Sequence, residues 1–293
     1  MTVKINIVTP TYNQAQFLGQ TIESVLSQEG DFYIDYVVIN DGSTDNGATE
    51  KVIEKYAQLW QSGAVPVKCR GVSFRHWTRP NKGQTPTINE GFRSAKGEIL
   101  AWMNSDDYYF PGVFEAVTKA FDSNPDVDFF YGDTLKVYED GSRPATIEPR
   151  PRPDENFESL RGYGNSFIFN FFTRRIFDKT GPLDETLKYC VDLDQWFRIF
   201  KIGKTKYLPF TLGAFRLWNG SHTMTKQSEF ARERTVVAKR YGANIIPPKK
   251  IYKWRGKIKL LNLMQGKTPR LYGGLKTLFY KMLNSLRYRV IVK

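Results

Sequence analysis

Two adjacent aspartates, Asp106 and Asp107, follow a run that reads as a buried strand in "EILAWMNSDDYYFPG" (98–112). Carboxylate oxygens suit hard divalent cations such as Mg²⁺ and Mn²⁺, which often share one or two carboxylates with the phosphates of a substrate. A cation there would offset the mutual repulsion of the pair. The alternative is that Asp106 caps a helix starting near Pro111 and Asp107 faces water. Two further strand ends carry unusual polar sequence, "TPTYN" (9–13) and "NDGSTD" (40–45). Either alone suits an ordinary loop. A third acidic site, "VDLDQWFRIFKIGK" (191–204), places Asp192 and Asp194 at the start of a helical pattern, where acids are common. The chain has only two histidines, His76 and His222, so a multi-histidine metal site is excluded.

The elements that must position these residues follow from periodicity. "KINIVTP" (4–10), "YVVIND" (36–41) and "EILAWMN" (98–104) read as buried strands ending in polar loops. Phe17, Leu18, Ile22, Val25 and Leu26 recur at helical spacing, a second helix covers about 46–60, and Ile88, Phe92 and Ala95 mark a third that closes at Gly97. The segment 65–79 has no clear period. Pro111 falls in the first turn of the next helix. This β-α-β-α order predicts an α/β fold, a mostly parallel sheet with helices on both faces. In such a sheet ligands bind beyond the carboxyl ends of the strands, so the three polar ends converge on one crevice. Later, "VDFFYGDTLKVYEDGSR" (127–143) reads as strands with a turn at Asp140-Gly141, followed by a proline-rich connection, a helix with Leu193, Trp196, Phe197 and Phe200 on one face, and a buried strand over 206–218.

Composition bounds the class. With 293 residues, 41% hydrophobic and 15% aromatic, the chain buries a sizeable core and is not disordered. Its two cysteines, Cys69 and Cys190, fit neither a disulfide framework nor a zinc motif, and a reducing cytoplasm is the expected compartment. The start "MTVKINIVTP" lacks the pattern of a signal peptide. No apolar run approaches the roughly 18 residues that span a bilayer. The net charge of +13 is concentrated: residues 234–293 carry 16 Lys and Arg and no Asp or Glu, while 1–233 carry 27 basic against 30 acidic residues. In that tail Leu271, Leu275, Leu278, Met282 and Leu286 form a helical stripe among lysines and arginines. This reads as a peripheral anchor on the anionic inner face of a membrane, or as helices packed on the body with a basic outer face. No nucleic-acid-binding motif accompanies the charge.

Five blocks, "VTPTYNQAQFLGQTIESVLSQ", "VVINDGSTDNG", "NKGQTPTINEGF", "GEILAWMNSDDYYFPG" and "VDLDQWFRIFKIGK", together resemble the successive motifs of family 2 glycosyltransferases, over about residues 1–240. The resemblance implies a GT-A fold and an inverting transfer from a nucleotide-sugar to a saccharide or lipid-linked acceptor, with Mn²⁺ or Mg²⁺ as cofactor. It leaves 241–293 as a basic helical extension. By the same resemblance Thr9, Pro10, Thr11 and Tyr12 pack against the base, and Asp41 receives the base's ring N–H, which suits uracil or thymine. Lys82 and Gly83 pass near the ribose and diphosphate. Asp106 and Asp107 match the acidic metal motif, with Asn104 at its usual first acid. Asp192 matches the catalytic base, preceded by Val191 where the family has Glu, and Asp194 is a second candidate. "FRLWNGSHT" (215–223) resembles the late loop that closes over the diphosphate, with Arg216, with Trp218 at the usual histidine position, and with His222 either on the diphosphate or metal or in a surface loop. Asp194, Trp196 and Arg216 fall on the acceptor side, where Trp196 either offers its face to a sugar ring or packs in the core. Two rivals are a nucleotidyltransferase making nucleotide-sugars, whose Gly-rich loop after the first strand has no counterpart in "TPTYNQ", and a non-catalytic basic membrane-binding protein on the same fold.

Overall fold

The computed structural model describes residues 3–139, 141, 145–148 and 169–242. The leucine-striped extension expected from 241 onward lies, past Gly242, outside the described residues, as does most of the proline-rich connection.

The strands are β1 (Lys4–Thr11), β2 (Tyr33–Asn40), β3 (Gly71–Thr78), β4 (Ile99–Trp102), β5 (Tyr108–Tyr109), β6 (Phe129–Tyr138), β7 (Thr146–Glu148), β8 (Asn170–Thr173) and β9 (Thr205–Leu217). The helices are α1 (Ala15–Leu26), α2 (Ala48–Gln61), α3 (Gln84–Ser94), α4 (Val113–Ser123), α5 (Arg174–Thr180), α6 (Val191–Ile202), α7 (His222–Thr225) and α8 (Gln227–Arg240). They build an α/β fold around one sheet of order β3-β2-β1-β4-β8-β6-β9-β5, with β7 paired to β6. β1 is parallel to both β2 and β4, β2 is parallel to β3, and β6 is parallel to β9. The shorter ladders of β5, β7 and β8 are antiparallel.

β1 and β2 are buried on both faces, as near-continuous apolar runs in a parallel sheet must be. Their side chains alternate between two cores. Ile5, Ile7, Ile34, Tyr36 and Val38 join α1, α2 and α4 on one face. Val8, Val37 and Ile39 join α3, α5, α6 and α8 on the other. The chain adds β2 and β3 on one side of β1, then returns to place β4 on the other. The carboxyl ends of β1 and β4 therefore flank a point where strand order reverses, the place in open α/β sheets where a crevice opens.

Two local expectations change. The segment 65–79 contains the edge strand β3, whose mixed polar and half-exposed residues hid its period. Pro111 lies before α4 rather than in its first turn, because Gly112 takes the N-cap position at φ 79° and the helix begins at Val113.

α3 lies close against β1. A Cβ on Gly91 would meet Val8 Cγ1 at 2.4 Å and Cγ2 at 2.7 Å, both fixed in the core. Overpacking of this kind costs typically about 1–3 kcal/mol, partly offset by about 1 kcal/mol of helix propensity. Gly91→Ala is expected to lower stability by about 1–2 kcal/mol in a urea titration. An unchanged midpoint would show that the helix can lift away freely.

Candidate functional site

The ends of β1 and β2 are laced together by short polar side chains. Asn13, at φ 54°, donates its backbone N–H to Ser43 Oγ at 2.9 Å, and its Oδ1 accepts from Thr44 N–H at 2.7 Å. Thr9 and Pro10 are buried strand residues, and Thr9 Oγ1 accepts from the Tyr36 hydroxyl at 3.1 Å. Of the expected base-contacting four, Thr11 and Tyr12 sit where the strand opens. Tyr12 is 44% exposed, and the buried Thr11 hydroxyl has no hydrogen-bond partner among the described residues. Asp41 is buried, and its carboxylate organises the next loop. Oδ1 accepts from Arg79 Nη1 at 2.5 Å and Lys82 N–H at 2.9 Å, and Oδ2 from Gly83 N–H at 2.9 Å. Gly83 adopts φ 95°, which admits the chain reversal into α3. Each carboxylate oxygen has two acceptor positions, so Oδ2 retains one for a ligand donor. Lys82 keeps its side chain exposed. Arg79, which also pairs with Glu90 at 2.7 Å, went unrecognised in the sequence, being one basic residue in a segment without period.

The acidic end of β4 is gripped from two sides. The α1 hydroxyl of Thr21 donates to the carbonyls of Ser105 and Asp107 at 2.9 and 2.7 Å. From β9, Arg216 N–H donates to Asp107 Oδ1 at 2.9 Å and Arg216 Nη1 to the Asp106 carbonyl at 2.8 Å. Asn104 accepts from Gln84 Nε2 at 2.8 Å and turns its own amide toward Asp107 at 3.5 Å. Asp107 is 1% exposed and ties the loop to β9, so it does not face water. Asp106 is only partly buried and accepts from Trp218 Nε1 on Oδ2 at 3.0 Å; it caps no helix. Burial pushes the Asp106 carboxyl above its ordinary range. Burial, and then the neighbouring Asp106 charge, push Asp107 well above it.

These features fit a cation shared with phosphate oxygens. Among the described residues no group of three or more His, Cys, Asp and Glu could hold a metal by itself. A partly exposed carboxylate beside a buried one suits a Mg²⁺ or Mn²⁺ that takes one or two carboxylates and completes its sphere from water and substrate. Asp106 is the residue that could reach it.

Arg216 is corrected from an acceptor-side residue to a structural one. It is 4% exposed, its Nε donates to Glu139 at 2.7 Å, its Nη2 to Gln20, and its guanidinium lies 4.9 Å from the Phe17 ring and 4.7 Å from that of Tyr108. No donor face is left for a sugar. Beyond it, Trp218 packs edge-on against Phe17 at 5.2 Å, and the chain turns through Gly220 into α7. The His222 ring lies 5.9 Å from that of Tyr189. Ser221, the residue before α7, has a buried hydroxyl without a partner among the described residues.

Tyr189 leads into α6, where Asp192 stands partly exposed in the first turn and accepts from Leu193 N–H at 2.7 Å. Its two companions do not share that position. Asp194 is 3% exposed and bound by Arg198 at 3.0 Å, Arg240 at 3.4 Å and the Tyr241 hydroxyl at 2.9 Å. Trp196 is fully buried and stacks on Trp102 at 5.2 Å, so no ring face is open to a sugar. Both serve the packing of α6.

Comparison with known proteins agrees with this architecture. Residues 6–181 match the family model described as glycosyl transferase family 2. An uncharacterized glycosyltransferase of Rickettsia felis is 30% identical over 207 residues, 68% of this chain and 31% of that protein. The chondroitin synthase of Pasteurella multocida is 28% identical over 233 residues, 80% of this chain and 22% of the synthase. The chain therefore spans a third or less of the length of these relatives. Among solved structures, S. aureus TarS 1–349 in complex with UDP-GlcNAc aligns with a TM-score of 0.57 at 18% identity, covering 90% of this chain and 73% of the other. Mannosyltransferase PcManGT from Pyrobaculum calidifontis, in complex with GDP-Man and Mn2+, aligns with a TM-score of 0.59 at 15% identity, covering 99% of this chain and 83% of the other. These two likenesses establish the GT-A fold. With its family model matched over more than half its length, the chain belongs to glycosyltransferase family 2.

Proposed function

We propose that this chain transfers a sugar from a nucleotide-sugar, a UDP-sugar first among them, to a hydroxyl of a saccharide or lipid-linked saccharide, inverting the anomeric centre. One observation carries the reading. The acidic end of β4, the turn from Trp218 to His222 and the turn leading to Asp192 are linked through Trp218–Asp106 and His222–Tyr189 contacts, and the loop that Asp41 holds reaches the β4 end through Gln84–Asn104. A donor with its base on the Asp41 side and its diphosphate near Asp106 would present the sugar toward Asp192. The family match, the chondroitin and hyaluronan synthases among the relatives and the UDP-GlcNAc complex of TarS support this choice of substrates.

In this reading Tyr12 and Thr11 receive the base, and Asp41 accepts its ring N–H at the free position of Oδ2. Lys82 and His222 lie along the diphosphate. A bound Mg²⁺ or Mn²⁺ on Asp106 supplies neutralisation of the charge that accumulates on the departing diphosphate. Asp192 takes the proton of the acceptor hydroxyl as it attacks opposite the leaving group, a role for which a positioned carboxylate typically contributes about 10²–10⁴-fold. Direct displacement needs no covalent intermediate.

The test is release of nucleoside diphosphate from UDP-GlcNAc and from GDP-mannose, each with Mn²⁺ or with EDTA. Turnover of the UDP-sugar that requires the cation and yields an inverted product by proton NMR is expected. Turnover of GDP-mannose alone, or turnover indifferent to EDTA, would contradict the reading. For location, no helix among the described residues is long and apolar enough to cross a membrane. Peripheral attachment through the basic tail rests on that segment's sequence, and removal of residues 245–293 is expected to reduce sedimentation with phosphatidylserine vesicles. Equal sedimentation of the truncated chain would refute the anchor.

A further inference from the structure

α8 follows the segment matched by the family model, and none of its residues stood out as chemistry-bearing in the sequence. It nevertheless holds the turn that carries Asp192 from both ends. On the upstream side, three successive backbone N–H groups converge on the Glu233 carboxylate. Lys188 N–H donates to Oε1 at 2.9 Å, and Tyr189 and Cys190 N–H donate to Oε2 at 2.5 and 2.6 Å. Successive backbone N–H groups of this kind form an anion-binding concavity, and their bonds to a carboxylate are charge-assisted. The rings of Phe230 and Tyr189, 5.1 Å apart, and a Cys190 Sγ–H contact to the Phe230 carbonyl at 3.5 Å reinforce the junction.

On the downstream side, Arg240 reaches Asp194 at 3.4 Å and the Tyr241 hydroxyl donates to Asp194 at 2.9 Å, while Arg240 also pairs with Asp184, upstream of the turn, at 2.6 Å. The Tyr241 ring also stacks on Phe197 at 4.8 Å. Asp192 lies between residues 190 and 194, so both of its flanks are held by α8 and the residue that ends it.

We propose that Glu233 is a positioning residue for sugar transfer, setting the place of Asp192 by tying down the 188–190 turn. This rests on Asp192 acting as the base. Both Glu233 carboxylate oxygens are engaged by backbone N–H groups of 188–190, so its action would run through the turn. Its effect is separable from folding, because α6 is held independently by Leu193, Trp196, Phe197 and Phe200 in the core. Loss of the carboxylate frees the turn while the helix stays. Misplacement of a reacting group by about 1 Å can cost about 100-fold in rate.

The experiment compares Glu233→Ala and Glu233→Gln in the full chain. Nucleoside diphosphate release is followed with UDP-GlcNAc and GDP-mannose, and the Asp192 carboxyl carbon is followed by NMR of ¹³C-aspartate-labelled protein, its signal identified by its loss in Asp192→Asn. For Glu233→Ala, kcat is expected to fall about 10- to 100-fold with donor KM within twofold, and the Asp192 signal to shift or broaden. Glu233→Gln, which keeps one acceptor oxygen, falls between. A kcat within twofold of the wild type, a KM that rises in step with the loss, or an Asp192 signal left in place would overturn the proposal. If neither donor is turned over, the NMR signal alone decides. Turnover that survives Asp192→Asn removes the base assignment itself, a result distinct from an inert Glu233.

Discussion

Asp192→Asn is expected to lower the rate of sugar transfer by about 10²–10⁴-fold, with UDP affinity unchanged within twofold. The substitution is close to isosteric, and an asparagine carbonyl can still accept the Leu193 N–H that now bonds Asp192 Oδ1. α6 therefore keeps its first turn and its buried face. What disappears is the capacity to take a proton from a hydroxyl, since an amide is not a base at neutral pH. The pair of measurements is transfer rate and UDP titration on the same preparation. Loss of UDP binding in a folded variant would move Asp192 into the donor site. Retention of transfer would pass the base role to another group, and the burial of Asp194 under Arg198, Arg240 and Tyr241 leaves that residue poorly placed for it.

The second large effect separates the two aspartates of the β4 end. Asp106→Asn is expected to lower UDP affinity in Mn²⁺ at least tenfold and to remove the difference between Mn²⁺ and EDTA. The fold should persist, because an asparagine carbonyl can accept the Trp218 N–H in place of the carboxylate. Asp107→Asn is expected to behave oppositely. Its carbonyl can accept the Arg216 N–H at the position of Oδ1, and a neutral amide avoids the cost of a buried charge. UDP affinity should then stay within a few-fold and the melting temperature should hold or rise. Cation dependence lost in Asp107→Asn and kept in Asp106→Asn would exchange the two roles.

The parts of this molecule that were legible in its sequence are those governed by local pattern. The apolar runs of β1, β2 and β4 end in polar loops where the chain reverses its direction of addition, and that alone places 9–13, 40–45 and 104–107 on one edge. The face of α6 that carries Leu193, Trp196, Phe197 and Phe200 follows from helical spacing in the same way. Periodicity says which residues are buried; it does not say against what. Arg216, Asp194 and Trp196 have side chains suited to binding a sugar, and each is consumed instead by partners distant in sequence. Arg216 meets Gln20 across 196 positions, and Trp218 meets Asp106 across 112. Glu233 and Arg79 were illegible for the complementary reason. An isolated charged residue in a helix or loop looks like solvated surface until the fold brings three N–H groups, or an aspartate, against it. The doublet at 106–107 lies between these cases. Its place at the carboxyl end of β4 was readable, but the division between a partly exposed and an internal carboxylate depends on β9.

The measurement closest to the central claim is the thermal unfolding of the chain with UDP, in Mn²⁺ and in EDTA. A ligand that binds only the folded state stabilises it by about 2.7 kcal/mol at a concentration 100 times its Kd. Millimolar UDP with Mn²⁺ is predicted to raise the melting temperature by several degrees, EDTA to cancel most of that rise, and Asp106→Asn to show none of the cation-dependent part. A melting temperature indifferent to UDP under both conditions would contradict a nucleotide-sugar site at this edge of the sheet.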